Sequence, residues 1–257
     1  FFNQAYERYQ AIDDSMGMGR SLRDMGRIEF LYRDHYTAAI ELQERALAFF
    51  RPLAARVEII DALHNLGITH EKMGNYQPAL RCQQEALELA GQEGQSRLIA
   101  LSRQYLANVL WKMGDYQKAL QHQNAALETF AGLGDDQLLQ TAYSTRGLIA
   151  LSLGQPQQAL EFEQKALEIA ARNDDRLDLA TIHKNLGMIY RSDGRFELAR
   201  ASFEQALVLD SLMAARSGLA YDYRNLGAIY GLIGRGSEGI LLARPIRRSE
   251  EHTSELQ

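Results

Sequence analysis

A period of 40 residues runs through most of this 257-residue chain and limits its fold more than any other feature. Each period holds two short amphipathic segments joined by a turn, as in the stretch from 185 to 209. A small residue recurs at one place in successive copies, at Gly67, Ala107, Gly147, Gly187 and Gly227, with Gly26 in an earlier copy. A fixed period of this size is the signature of a repeat protein in which neighbouring copies bury one continuous core.

The second copy shows the pattern most clearly. Leu63, Leu66 and His70 lie on one face of a predicted helix, and Gly74 follows where a helix-ending residue with positive φ is needed. The small residues predict close helix crossings, with Gly147 and Gly187 on first helices facing alanines of second helices. Asp34 stands at the turn position that glycine holds in later copies, and aspartate tolerates the left-handed conformation better than most residues.

These residues carry a family resemblance. The pattern Leu-Gly-x-x-Tyr, then Gly-x-Tyr/Phe-x-x-Ala-Leu and a later Ala-Leu, resembles the tetratricopeptide repeat. Its length resembles the longer variety of kinesin light chains, G-protein modulators and bacterial signalling proteins, rather than the common form of about 34 residues. The resemblance implies an all-α fold, a right-handed α-solenoid of antiparallel helix pairs. One departure is a usually aromatic column on the second helices, which reads Gln43, Gln83, Gln123, Glu163 and Phe203.

The pattern also predicts the repeat boundaries. We expect the second helix of a truncated repeat at 1–15, complete repeats at 16–53, 54–94, 95–134, 135–174 and 175–214, and the first helix of a sixth at 215–235. Residues 236–257 diverge, because Gly236, Gly239 and Pro245 oppose a helix. The final RSEEHTSELQ resembles a translated sequencing adapter, so this tail is expected to be non-native. The start at Phe1, inside a helical pattern, predicts that the native N-terminus is missing.

Composition narrows the class of partner and compartment. The net charge of −5 argues against a nucleic-acid binder, whose affinity depends on excess Lys and Arg. No apolar run approaches the roughly 18–20 residues of a membrane-spanning helix, so no membrane partner is expected. Cys82 is the sole cysteine, which excludes an intrachain disulfide and fits a cytoplasmic protein.

No motif for catalysis, a cofactor or a metal is found in the sequence. Phosphate-binding and dinucleotide-binding glycine loops are missing, as are strands to hold them. His70-Glu71 begins like a zinc-protease helix, but Gly74 stands where the second histidine is required. We therefore expect a protein that is not an enzyme and holds neither cofactor nor metal.

The resemblance places a candidate binding groove on the first helices, which in the family line a concave face that binds an extended peptide or a partner helix. Asparagine can donate to and accept from a peptide backbone, and Lys and Arg can pair with carboxylates, so an acidic or C-terminal peptide is expected. Trp111 is the most pointed candidate, since exposed aromatic residues often anchor partners. The candidates are His64, Asn65, Lys72, Gln104, Asn108, Trp111, Lys112, Lys184, Asn185, Arg191, Arg224 and Asn225.

Two alternatives compete with this interpretation of the residues. The Lys and Arg side chains could form an ordinary solvated face, and Asn65, Asn185 and Asn225 could hold neighbouring helices in register. For the whole chain, the leading hypothesis is a non-catalytic protein–protein interaction scaffold. The alternative is the sensory or regulatory segment of a larger signalling protease, ATPase, cyclase or kinase. Open repeat ends would also favour self-association.

Overall fold

The structure, a computed structural model, describes residues 2–234, and there the chain forms twelve α-helices and no strand. The all-α prediction is confirmed; the expected tail at 236–257 lies outside the described residues. The helices are α1 (Phe2–Ala11), α2 (Ser15–Arg33), α3 (Tyr36–Phe50), α4 (Arg56–Lys72), α5 (Tyr76–Glu93), α6 (Ser96–Lys112), α7 (Tyr116–Leu133), α8 (Asp136–Ser152), α9 (Pro156–Asn173), α10 (Arg176–Ser192), α11 (Phe196–Leu212) and α12 (Arg216–Leu232).

These helices form two compact units, one that ends at residue 134 and one that begins at residue 135. In the first unit, α2 pairs with α3, α4 with α5 and α6 with α7, while α3 packs on α4 and α5 on α6. In the second unit, α8 pairs with α9 and α10 with α11, while α9 packs on α10 and α11 on α12. Each pair is a helix hairpin stacked on the next hairpin of its unit, which is the α-solenoid arrangement that the 40-residue period predicts.

The turns inside the repeats follow the sequence prediction. Gly74, two residues beyond the end of α4, has φ of +77°, a conformation that lets the chain reverse without a Cβ clash. Asp34 closes α2 with φ of +52° and so takes the conformation expected of it. Between repeats, the Asp175 carboxylate accepts from the backbone N–H groups of Leu177 and Asp178, which caps the start of α10.

Close crossings between paired helices depend on small residues, as predicted. A methyl group added at Gly147 would lie 3.2 Å from the carbonyl oxygen of Ala159, and one at Gly187 would lie 2.8 Å from the Phe203 ring. The second helix therefore packs directly against the backbone of the first. The partner at Gly187 is the phenylalanine of the usually aromatic column rather than the expected alanine.

All five residues of that column are buried, although four of them are polar. Two of the glutamines donate from the side-chain amide to the first helix of their own repeat: Gln43 Nε2 to the carbonyl of Arg23 at 2.9 Å, and Gln83 Nε2 to that of His64 at 3.3 Å. The buried amide oxygens of both have no hydrogen-bond partner in the described residues. The column thus joins the two helices of a pair by hydrogen bonds where other copies would use a ring.

Aliphatic and aromatic side chains fill the rest of the core. In the first unit, Leu22, Phe50, Ile60 and Leu63 belong to one buried cluster. In the second unit, Ile182 and Ile189 lie in one cluster, and Phe203 packs with α12 in another. Full burial of such a side chain contributes about 1.5–3 kcal/mol, so these clusters hold the first helices in a fixed arrangement.

Candidate partner-binding face

Charge is distributed unequally between the two helices of each repeat. In the first unit, the first helices α2, α4 and α6 carry nine basic residues (Lys or Arg) and five acidic residues (Asp or Glu). The second helices α1, α3, α5 and α7 carry four basic and seven acidic residues. In the second unit, the first helices α8, α10 and α12 carry six basic and three acidic residues, whereas the second helices α9 and α11 carry three basic and six acidic residues. The first helices are therefore basic within an acidic protein, in each unit separately.

Four of the predicted groove residues are buried in the helix packing: His64, Gln104, Asn185 and Asn225. This placement corrects the expectation that these side chains line an open groove. His64 stands two positions before the Leu of its repeat, and Asn185 and Asn225 stand one position before it; each of these three side chains reaches a neighbouring helix. Their polar groups contribute to the register between helices, the alternative considered from the sequence.

His64 illustrates this role on α4. Its Nε2 lies 3.0 Å from Oγ of Ser102 on α6, and its ring packs at 4.6 Å, centroid to centroid, on Tyr105. Burial lowers the pKa of His64 to about 4, because a charged imidazole would lose its hydration there. The side chain is thus a neutral link between two first helices.

Asn185 performs a comparable task in the second unit. Its Nδ2 donates at 2.9 Å to Oε1 of Glu163, and Ser144 Oγ donates at 2.8 Å to the other carboxyl oxygen. Glu163 is fully buried, which raises its pKa to about 8 although both hydrogen bonds oppose that rise. This carboxyl on α9 therefore connects α8 with α10.

Asn225, on α12, is engaged on both sides of its amide. Its Nδ2 donates to the carbonyl of Tyr221 in the preceding turn, and its Oδ1 accepts at 3.1 Å from Arg191 on α10. Arg191 is half-buried, so this predicted cation serves partly as a link between two first helices.

Lys184 is also occupied within the fold. Its Nζ lies 2.5 Å from Oδ2 of Asp210 on α11, and only 18% of the lysine side chain is exposed. Asp222 on α12 is fully buried close by, and burial together with the Asp210 charge raises its pKa to about 7, against the pull of Lys184. The lysine therefore balances two buried carboxyl groups and offers little charge to a partner.

The remaining candidates keep accessible surface. Lys72, Lys112 and Arg224 are exposed, and Asn65, Asn108 and Trp111 are half-buried. The Lys112 ammonium lies 4.3 Å from the centre of the Trp111 ring, a cation–π distance that joins a charge to an aromatic surface at the end of α6. In the first unit, the accessible candidates are thus both polar and aromatic: Asn65, Lys72, Asn108, Trp111 and Lys112.

The sequence interpretation missed one element of this face. A cleft of about 150 Å³ opens between α2 and α4, and its lining includes Arg27, Phe30 and Asn65. The available signal was the repeat itself, because Arg27 follows Gly26 as the predicted residue Asn108 follows Ala107.

Neither a metal site nor a reactive thiol forms in the described residues. Across residues 2–234, no group of three or more His, Cys, Asp or Glu side chains is placed to hold a metal ion. Burial raises the pKa of Cys82 to about 11, which leaves it a protonated and weakly nucleophilic thiol at neutral pH. None of the helices described is long and apolar enough to cross a membrane.

Comparison with known proteins identifies the family. The tetratricopeptide repeat profile matches residues 58–132, 96–172 and 138–211, which together span more than half of the chain. This protein belongs to the tetratricopeptide repeat family. No curated protein matches its sequence.

Solved structures share the fold at low identity. The apo form of RapI is 19% identical over 95% of this chain and 86% of its own, with a TM-score of 0.74. A Rap protein complexed with Competence and Sporulation Factor is 16% identical over 95% of this chain and 66% of its own, with a TM-score of 0.73. A putative kinesin light chain from Podosopora anserina is 17% identical over 76% of this chain and 96% of its own, with a TM-score of 0.59. At such identities the likeness concerns the fold alone.

Proposed function

We propose that this chain is a non-catalytic protein–protein interaction scaffold whose first helices bind a peptide or a partner helix. The observation that carries the proposal is the separation of charge, with basic first helices and acidic second helices in each unit. The Lys184–Asp210 pair uses one of these cations inside the packing, whereas Lys72, Lys112 and Arg224 are exposed. A face that binds a partner of opposite charge would use such exposed cations.

The expected partner is therefore an acidic peptide segment, since the net charge of −5 disfavours nucleic acid. In the first unit, Lys72 and Lys112 would contribute charge, while Asn65 and Asn108 would bind peptide backbone through their amides. In the second unit, Arg224 would contribute charge. A protein of the same fold, the Rap protein solved with Competence and Sporulation Factor, supports binding of another molecule by such an array. A cytoplasmic location accords with the single unpaired cysteine, Cys82.

Charge reversal on matched helices tests this function. The variant Lys72→Glu with Lys112→Glu changes two exposed cations at the ends of the first helices α4 and α6. The control Arg45→Glu with Arg81→Glu makes the same change on the second helices α3 and α5, also at exposed positions. Fluorescence anisotropy with a pool of short, Asp- and Glu-rich peptides should show about tenfold weaker binding, ~1.4 kcal/mol, for the first variant only.

Equal affinity of both variants and the unaltered chain would reject an acidic partner on the first helices. A Lys-rich peptide pool provides the charge control, because it should not bind the unaltered chain. Measurements at low salt and at about 0.15 M salt should show weaker binding at the higher concentration, as expected for accessible ion pairs.

The alternative function is a sensory or regulatory segment of a larger signalling enzyme. The chain spans 66% of the Rap protein solved with Competence and Sporulation Factor. The complete reading frame decides between the two proposals, since a catalytic domain encoded beside this array would select the second.

A further inference from the structure

The cleft between α2 and α4 has the dimensions of a pocket for one side chain. Its volume is about 150 Å³, and Phe30, Leu31 and Ile68 form its apolar lining. A cavity of about this volume accepts a benzene ring. The side chain of a leucine or a phenylalanine is therefore the largest group that it would hold.

Three polar groups surround this apolar pocket. Arg27 and Asn65 lie at its lining, and Gln43 forms part of its wall. Within residues 2–234, the Arg27 guanidinium and the Asn65 side-chain amide have no hydrogen-bond or ion-pair partner. The buried Oε1 of Gln43 also lacks a partner there, although Nε2 of the same amide is bonded to Arg23. A buried amide oxygen left in this state is costly.

Arg27 stands out among the four arginines of α2. Arg20 pairs with Glu58, Arg23 lies 3.1 Å from Asp24 and 3.6 Å from Asp61, and Arg33 lies 2.6 Å from Glu29. These pairs engage the neighbouring carboxylates, and Arg27, whose charge acts on Asp61 only from beyond ion-pair distance, is the exposed cation at the cleft. Charge complementarity at this point therefore favours a carboxylate from outside the fold.

We propose that this cleft, here named the α2–α4 pocket (Gly26, Arg27, Phe30, Leu31, Gln43, Asn65, Ile68 and Thr69), binds a partner peptide that presents Leu or Phe with an Asp or Glu within two positions. The inference rests on the proposed function and specifies which acidic peptides the first unit selects. The apolar side chain enters the pocket, the carboxylate pairs with Arg27, and the peptide backbone meets Asn65. Arginine pairs with carboxylates through two parallel bonds, which gives geometry as well as charge.

The test is a selection of random short peptides displayed against the full chain, followed by anisotropy with the best peptide. Peptides selected by the unaltered chain should share Leu or Phe beside Asp or Glu. The variant Arg27→Glu should lose the acidic preference, and the best peptide should bind it at least about tenfold more weakly. Arg45→Glu, on the second helix of the same repeat, is the matched control and should bind within about twofold.

Two further measurements separate the pocket from a general attraction between charges. Ile68→Trp fills the cleft from its half-buried wall and should weaken the best peptide while the acidic preference remains. Replacement of Leu or Phe by Ser in that peptide should weaken binding to the unaltered chain to a similar degree. Circular dichroism melts of each variant verify that the helices are retained.

The outcomes are distinguishable. Acidic peptides that bind without an apolar residue, or with equal affinity to the Arg27→Glu variant, overturn the pocket and leave the proposed function standing. Selection of no acidic peptide overturns both. A dimer in light scattering that Arg27→Glu converts to a monomer shows that a second copy of this chain occupies the cleft, which also overturns the peptide proposal.

Discussion

The Asn185 side-chain amide donates a 2.9 Å hydrogen bond to the buried carboxyl of Glu163, which belongs to a different helix hairpin. The other carboxyl oxygen accepts from Ser144 on the hairpin of Glu163 itself. One side chain on α9 thus holds the first helices of two successive hairpins. This relationship makes Glu163 the most informative position for testing the packing.

Glu163→Gln should stabilise the protein in mild base and reduce its dependence on pH. Burial raises the folded-state pKa of Glu163 to about 8, whereas an unfolded glutamate titrates near about 4.3. Between these values the folded chain binds more protons, so its stability falls as pH rises, with a slope of at most about 1.4 kcal/mol per pH unit. Glutamine occupies this column in three other copies, and the serine hydroxyl can reverse its hydrogen bond.

Thermal melts from about pH 5 to about pH 8 measure this effect. We expect the variant to be more stable at the upper end by at least about 1 kcal/mol, because each unit of raised pKa corresponds to about 1.4 kcal/mol and glutamine has no charge to bury. Glu168→Gln, at an exposed position of α9, is the control and should leave the slope unchanged. A slope in the Glu163→Gln variant equal to that of the parent would contradict the prediction.

His64→Gln should remove sensitivity to acid. The folded-state pKa of His64 is lowered to about 4 by burial, against about 6.5 in an unfolded chain. Over that interval the unfolded chain binds more protons, so stability is lost as pH falls from about 6.5 to about 4. Glutamine stands at this position in the next copy, as Gln104.

Proton NMR of the imidazole, recorded during an acid titration, measures the His64 pKa directly. Titration of His64 near about 6.5, the value of an unfolded chain, would show that its ring is hydrated and would contradict the structure.

Lys184→Met should destabilise the second unit strongly. The substitution would leave Asp210 and Asp222 buried together with no cation beside them, and breaking a buried ion pair in this way costs about 3–5 kcal/mol. Adding Asp222→Asn to this variant should recover much of the loss, because it removes one of the two carboxyl groups. A double-mutant cycle by urea unfolding gives the coupling energy.

Additive effects of the two substitutions would indicate that Lys184 and Asp222 do not interact. Arg224→Met serves as the control for loss of a positive charge from the neighbouring first helix, since Arg224 is exposed and should change stability by less than about 0.5 kcal/mol.

Gly187→Ala should be destabilising despite the better helix propensity of alanine. The added methyl group would lie 2.8 Å from the Phe203 ring, which is fully buried, and such overpacking costs about 1–3 kcal/mol. Gly91→Ala is the matched control on α5, where a methyl group would meet nothing within 4 Å. The control should be neutral or stabilising by up to about 1 kcal/mol, and the same sign for both in urea unfolding would refute the crossing geometry.

Much of the fold could be predicted from the sequence because periodicity encodes local structure. The positive φ of Gly74 and Asp34 and the crossing at Gly147 follow from steric rules that act within one repeat. The candidate site was less predictable. The burial of Asn185 and Lys184 depends on partners Glu163 and Asp210 of other helices, and their repeat position alone does not reveal whether they face solvent.

The polar column has a consequence for the interchangeability of the repeats. The similar sequences of the copies suggest that they could be exchanged, but the column makes a different contact in each. Glu163 accepts hydrogen bonds from Asn185 and Ser144. Gln83 donates to the backbone of His64, and Phe203 packs against Gly187. Each second helix is thus matched to the particular first helices beside it. A chain with α9 and α5 exchanged would conserve composition and periodicity but place the wrong chemical group in each buried contact between helices. The fold therefore depends on the order of the copies as well as on their repeated pattern.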